Sequence, residues 1–429
     1  MSEEDGIMTA AEIGASTLDE DFSSVTENFA GAVENPFPLY AELRQTHPVM
    51  EGDILARFGV PSQADFTHTG RPVYTLFKYD DVMMVLKDPV TFTASLLNEG
   101  LGQFLGDFLL TGMDGDTHKL ARALLGPAFF PNVVAKWEAK ASRVVREEFV
   151  APMTARGKAE LVSDFLIPVP VRLIYDIIGF PNDKAQVEQF ASWGMRILVG
   201  PTGIEGAYDA AVTAAQEIYD HTIKIVVQRR SEGSGGDDLI GYLLRASYDN
   251  RSLSDDEITC FIRQLLPAAA ETTTRSFGSM LVALLERPAL LDRLRGDRSL
   301  VMKTINEGMR WSTASQFLAR QCAKDVEIRG VKIAKGSALS LSSGSANRDE
   351  EVFENPDEFD IDRPQRANAG FGFGGHICLG MHVAKMEMAA MLNAILDLWP
   401  NLRLDPSQPA PDIVGAQLRG PRAIHVVWG

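Results

Sequence analysis

The stretch Phe371-Gly372-Phe373-Gly374-Gly375-His376-Ile377-Cys378-Leu379-Gly380 puts one thiol in a glycine-rich loop. Glycines let a backbone take positive φ and come close to something large and flat, which bulkier residues would hold off. Directly after the loop, apolar residues recur at Val383, Met386, Ala390, Leu392 and Leu396. That spacing predicts a helix over 381–398, ending before Pro400. Cys378 then sits at a helix N-terminus, where unpaired amide N–H groups and the positive end of the helix dipole favour a thiolate over a thiol. A thiolate in such a loop is a metal ligand or a nucleophile, whereas a cysteine taken alone can equally be a small buried hydrophobe.

The rest of the composition bounds the answer. The chain has 429 residues, 45% of them hydrophobic, enough for one large core or two ordinary domains, with no obvious seam between domains. Its 41 basic and 58 acidic residues give a net charge of −17, which argues against nucleic acid or an anionic membrane surface as partner. The three cysteines, Cys260, Cys322 and Cys378, are odd in number and far apart, so neither a disulfide framework nor a zinc cluster is suggested and a reducing, cytoplasmic setting is expected. The acidic start lacks the basic and apolar regions of a secretion signal, and no uncharged apolar run of about 18 residues occurs.

Taken together, Phe371, Gly374, His376, Cys378 and Gly380 resemble the haem-binding signature of the cytochrome P450 family, with histidine where many members carry arginine. The resemblance implies haem b as cofactor, with Cys378 as the axial thiolate of the iron, favouring O–O cleavage. It further implies that His376 donates to a haem propionate, that Phe371 packs under the porphyrin, and that Gly380 permits close approach of helix and ring. The fold implied is mainly α with a smaller β-rich part, a single domain over 1–429 with residues 1–33 as a loosely held arm. Membrane-bound members begin with an apolar helix, so this chain looks like the soluble bacterial type without a membrane anchor.

Other segments carry the same resemblance. His118 and Arg122 are four apart on one expected helix face, an ordinary solvated pair by itself. In the family such a pair holds a haem propionate, and Arg320 occupies the place of another propionate-binding arginine. Ser254-Asp255-Asp256-Glu257 is a capping box opening a helix that can run to Arg287, about 50 Å at about 1.5 Å per residue, so it must cross the core. Pro267 inside it predicts a kink. The run Ala268-Ala269-Ala270-Glu271-Thr272 that follows resembles the family's oxygen-activation motif, with alanine at 269 where glycine is usual. Glu271 and Thr272 are thereby the expected catalytic pair, although Glu271 and Arg275 could also form a plain helix ion pair. Glu307, Arg310 and Arg363 resemble the family's buried Glu-Arg-Arg network, a structural feature.

Helices are also expected over 160–179, 185–198 and 207–228, and strands over 73–77, 326–333 and 338–341. The apolar region 96–110 covers the substrate pocket in the family. Leu97, Phe104, Phe108, Ala268, Phe317 and Leu318 are the expected pocket residues, suited to a terpenoid, steroid, alkyl or aromatic skeleton. Arg196 is the candidate anchor for a substrate carboxylate. The expected reaction is insertion of one atom of O2 into a hydrophobic molecule, with electrons from a [2Fe-2S] ferredoxin and its NAD(P)H-dependent reductase. A peroxide-using haem-thiolate enzyme and a non-catalytic haem sensor are the alternatives. Six basic residues against one acidic between Lys119 and Arg146 make a candidate docking face.

Overall fold

The Thr17 hydroxyl accepts from the Glu20 amide while the Glu20 carboxylate accepts from the Thr17 amide, a reciprocal cap that opens α1 (Leu18–Val25). A single π turn, Thr26–Ala30, continues it. The protein is described here by a computed structural model covering residues 17–65, 69–181, 183–233 and 235–429. The expected arm over 1–33 is therefore corrected from Thr17 onward, and residues 1–16 lie outside the described residues. Phe22, Val25 and Phe29, spaced i, i+3, i+7, are buried in the main core. That short apolar stripe is the reason the segment packs.

One five-stranded sheet follows from strands distant in sequence. In chain order these are β1 (Val49–Glu51), β2 (Val73–Leu76), β3 (Phe92–Thr93), β4 (Phe317–Cys322) and β5 (Ala338–Ser342). Their spatial order is β1-β2-β5-β4-β3. Strand β5 runs parallel to β2, with Ala338 beside Val73, and antiparallel to β4, with Leu339 beside Arg320.

The helical part contains α2 (Gly115–Leu125), α3 (Pro131–Val144), α4 (Lys184–Val199) and α5 (Ala207–Ser231). It continues with α6 (Asp255–Leu285), α7 (Val301–Trp311) and α8 (Met381–Leu398). The capping box at Ser254 and Glu257 is present. Helix α6 spans 31 residues, Pro267 included, and packs against α4, α5, α7 and α8. The helix expected over 160–179 is broken up: a short strand Lys158–Glu160, a π turn Val162–Leu166 and a helix Pro168–Ile178 take its place. The Glu160 carboxylate accepts from the amides of Val162 and Ser163, and Pro168 brings no amide donor, so the chain restarts twice. Among the described residues no helix is long and apolar enough to cross a membrane.

Candidate active site

Two positive-φ glycines set the cysteine loop. Gly372 has φ of 68° and Gly374 of 70°, and a Cβ on Gly374 would lie 2.3 Å from the Leu86 carbonyl oxygen. The Cys378 amide donates to the Phe371 carbonyl at 2.8 Å, closing the loop ahead of α8. The Cys378 side chain borders open space, yet protein encloses it at depth, and this burial pushes the thiol up. Against it act the amides of Gly380 and Met381 and the Arg122 guanidinium, each of which favours the thiolate. Burial outweighs them, and a metal ion bound at the sulfur would deprotonate the thiol outright. A Cβ on Gly380 would meet open space.

Arginine and histidine side chains from separate elements gather beside this loop. Arg122 of α2 donates to the Ile377 carbonyl at 2.6 Å. The rings of His118 and His376 stack with centroids 3.9 Å apart, and His376 Nε2 lies 3.7 Å from Asp114. Burial, then His376 and Arg122, push His118 down to about 4. Arg320 of β4 is buried, pushed down to about 10 by that burial, and donates to the Ala319 carbonyl at 2.7 Å. Neither Arg122 nor Arg320 makes an ion pair among the described residues. A buried guanidinium without an ion-pair partner in contact is costly, and this cluster therefore suits an anionic partner.

Inside the mostly buried α6, a stripe at Leu265, Ala268, Ala269 and Thr272 is open, Ala268 most of all. Positions i, i+3, i+4 and i+7 share one helix face, and the alanines leave room along it. Thr272 donates its hydroxyl proton to the Ala268 carbonyl at 2.7 Å, leaving the oxygen as an acceptor. Glu271 is fully buried and accepts from Arg275 Nε at 2.5 Å through Oε2, while Oε1 is buried without a hydrogen-bond partner. Burial pushes its carboxyl up, offset in part by Arg275.

The expected pocket residues separate. Leu97 and Phe108 are partly buried against the main core. Phe104 is buried against Gly200 and the Tyr208 ring, 5.1 Å away, on the side of the α4–α5 connection. Leu318 shares a face of β4 with Arg320. Phe317 is corrected: the alternation of a strand turns it to the opposite face, where it packs edge-on against Tyr40 at 5.9 Å. Arg196 is likewise no ready anchor for a substrate carboxylate, because it lies 3.5 Å from Asp21 of α1. Sequence reasoning missed Gln264, which accepts from the Leu110 amide at 3.0 Å and donates to the Phe108 carbonyl at 2.9 Å, fastening the 96–110 region to α6. A glutamine on an apolar helix was the available signal. The Glu307, Arg310 and Arg363 network is assembled, with Arg310 bidentate to Glu307 at 2.7 and 2.9 Å and Arg363 at 3.4 Å.

These residues fit a flat, anionic, iron-bearing group. The glycine loop supplies close approach and one sulfur, Arg122 and Arg320 supply positive charge and His118 and His376 supply ring N–H groups for carboxylates, and α6 supplies an open small-residue face. The family model described as Cytochrome P450 matches residues 187–416. Mycinamicin IV hydroxylase/epoxidase of Micromonospora griseorubida is 30% identical over 396 residues, 91% of this chain and 94% of that protein. Cyclomarin C epoxidase CymV of Salinispora arenicola is 29% identical over 394 residues, 90% of this chain and 94% of that one. The crystal structure of CYP109E1 from Bacillus megaterium in complex with testosterone superposes with a TM-score of 0.79 at 29% identity, covering 92% of this chain and 99% of the other. The chain therefore belongs to the cytochrome P450 family of haem-thiolate monooxygenases, and its haem b takes its axial thiolate from Cys378.

Proposed function

We propose that this protein inserts one oxygen atom of O2 into a neutral, hydrophobic small molecule, with electrons from a [2Fe-2S] ferredoxin served by an NAD(P)H-dependent reductase, in the cytoplasm. One core cluster reaches from Phe22 to Trp428, which supports reading the chain as one domain. His118, His376, Arg122 and Arg320 would hold the haem carboxylates, and Phe371 and Gly380 would lie along the ring. When bound, the haem supplies the iron at which dioxygen is reductively activated.

The observation that carries this reading is the open Ala268–Thr272 stripe in an otherwise buried helix. Thr272 can accept from a water there, because its own proton is committed to Ala268. Glu271 can feed protons to that water from behind, and a positioned proton donor is typically worth about 10² to 10⁴ in rate. Leu97, Phe108, Leu318 and the alanines give the substrate an apolar wall, and Arg196, which faces Asp21, is not held ready for a substrate carboxylate. Testosterone in the CYP109E1 structure makes steroids a sensible first class to try.

Ferric protein should be titrated optically against steroids, terpenoids, alkyl chains and aromatics, and the best binder turned over under isotopically labelled dioxygen. One labelled oxygen atom in the product is expected. Label arriving from water, or turnover supported by hydrogen peroxide but not by a ferredoxin system, would count against the reading.

A further inference from the structure

Arg275, the partner of Glu271, is not left to itself. Its Nη2 donates to the Thr26 hydroxyl at 2.9 Å, and Thr26 passes its own proton to the Phe22 carbonyl at 3.0 Å. The guanidinium also lies over the Phe22 ring, 4.4 Å from its centroid, a cation–π contact in a desolvated place. Behind it, a Cβ on Gly420 would come 2.6 Å from Arg275 Cβ, so the strand at Gly420–Pro421 allows no retreat. Arg275 is 0% and Glu271 1% exposed. Segment 18–30 is itself anchored: Asp21 accepts from the Ser192 hydroxyl and lies near Arg196 of α4, and the Ala416 and Gln417 amides donate to the Ala30 carbonyl at 2.9 and 3.0 Å.

We propose that Thr26 and Phe22 are positioning residues for oxygen activation: the N-terminal segment clamps Arg275, and Arg275 in turn fixes which way the Glu271 carboxylate points. The inference rests on Glu271 being the proton relay. With Arg275 held, Oε2 is tied and the partnerless Oε1 is the oxygen free to exchange a proton. Arg275 is also the charge that acts on Glu271, so loosening it raises the pH at which Glu271 ionises. A segment distant from the cysteine loop in sequence thereby controls the acid on the long helix without touching the reacting atoms.

The test uses Thr26→Val, which keeps size and removes the hydroxyl, and Phe22→Leu, which removes the ring, in the haem-loaded protein. Two readouts are followed: the infrared band of the protonated Glu271 carboxyl, assigned by its loss in Glu271→Gln, and turnover against pH. Thr26→Val should move the titration of that band up by about one pH unit. It should also slow turnover about 10-fold, the lower end of what losing an outer-shell partner costs. Thr26→Ser should restore both. Val25→Ala, which opens a cavity in the same helix without touching Arg275, should lower the thermal midpoint and leave the band in place. A band unmoved in both Thr26→Val and Phe22→Leu, while Glu271→Gln still slows turnover, overturns the clamp and leaves the relay standing. Parental turnover in Glu271→Gln overturns the relay, and the clamp's purpose with it.

Discussion

Glu387 shows how much a single buried carboxyl can reveal. It lies on α8, 1% exposed, and burial pushes it up to about 8 from an ordinary 4.5, with the Thr273 hydroxyl offsetting part of that rise. The folded protein therefore keeps a proton that the unfolded chain releases above pH 4.5. Stability contributed by the neutral group is complete below that pH and is lost progressively as pH rises toward 8. Each unit of difference corresponds to about 1.4 kcal/mol, so Glu387→Gln should gain on the order of 3–4 kcal/mol over the parent between pH 5 and pH 8. Thermal unfolding of the loaded protein at the two pH values checks this, and parallel curves for variant and parent would contradict it. At this scale the sequence was readable where residues stood in a dense local pattern, as in the glycine loop around Cys378, where Gly372 and Gly374 take positive φ. It was silent where the partner came from far away: nothing near Arg196 announces Asp21, 175 positions earlier. Phe317 misled for another reason, since a strand of known position but unknown face leaves each side chain two directions to take.

Among elements, the long helix and the cysteine helix were legible because their ends carry chemical stops, a reciprocal cap at Ser254 and a proline at 400. The segment 160–179 was not, because apolar periodicity persists across it while Glu160 and Pro168 interrupt its hydrogen bonds. The N-terminal helix was hidden by its polar composition, although Phe22, Val25 and Phe29 mark its buried side. In the cysteine loop, Gly374 combines a positive φ with a close approach to the Leu86 carbonyl that leaves no room for a side chain. Gly374→Ala should destabilise the fold by about 1–3 kcal/mol and release haem more readily. Gly296→Ala, at a helical glycine whose added Cβ meets nothing within 4 Å, should be neutral or slightly stabilising. Thermal midpoints and the rate of haem transfer to an acceptor protein measure both, and equal behaviour of the two variants would contradict the argument.

For the molecule as a whole, charge is the feature that reaches furthest. The net −17 is relieved between Lys119 and Arg146, but the structure engages much of that run internally. Lys119 pairs with Asp116, Lys140 with Asp176 and Arg146 with Asp397, while Arg122 turns inward to the cysteine loop. Lys136, whose amine reaches the Tyr242 hydroxyl at 2.9 Å, and Arg143 are exposed cations of that run that could steer the proposed ferredoxin, if it is acidic. Association with such a partner should slow as salt shortens the Debye length below about 8 Å, and charge reversal at Lys136 and Arg143 should slow electron transfer without changing substrate affinity. Unchanged electron-transfer rates in the doubly reversed variant would make the face an ordinary solvated one.

The proposed function presupposes sulfur ligation of the iron, the link between the glycine loop, the basic cluster and the open stripe of α6. Carbon monoxide added to the reduced protein tests it most directly. The account predicts the strongly red-shifted Soret band of a thiolate adduct in the parent and its loss in Cys378→His; the same band persisting in that variant would contradict it.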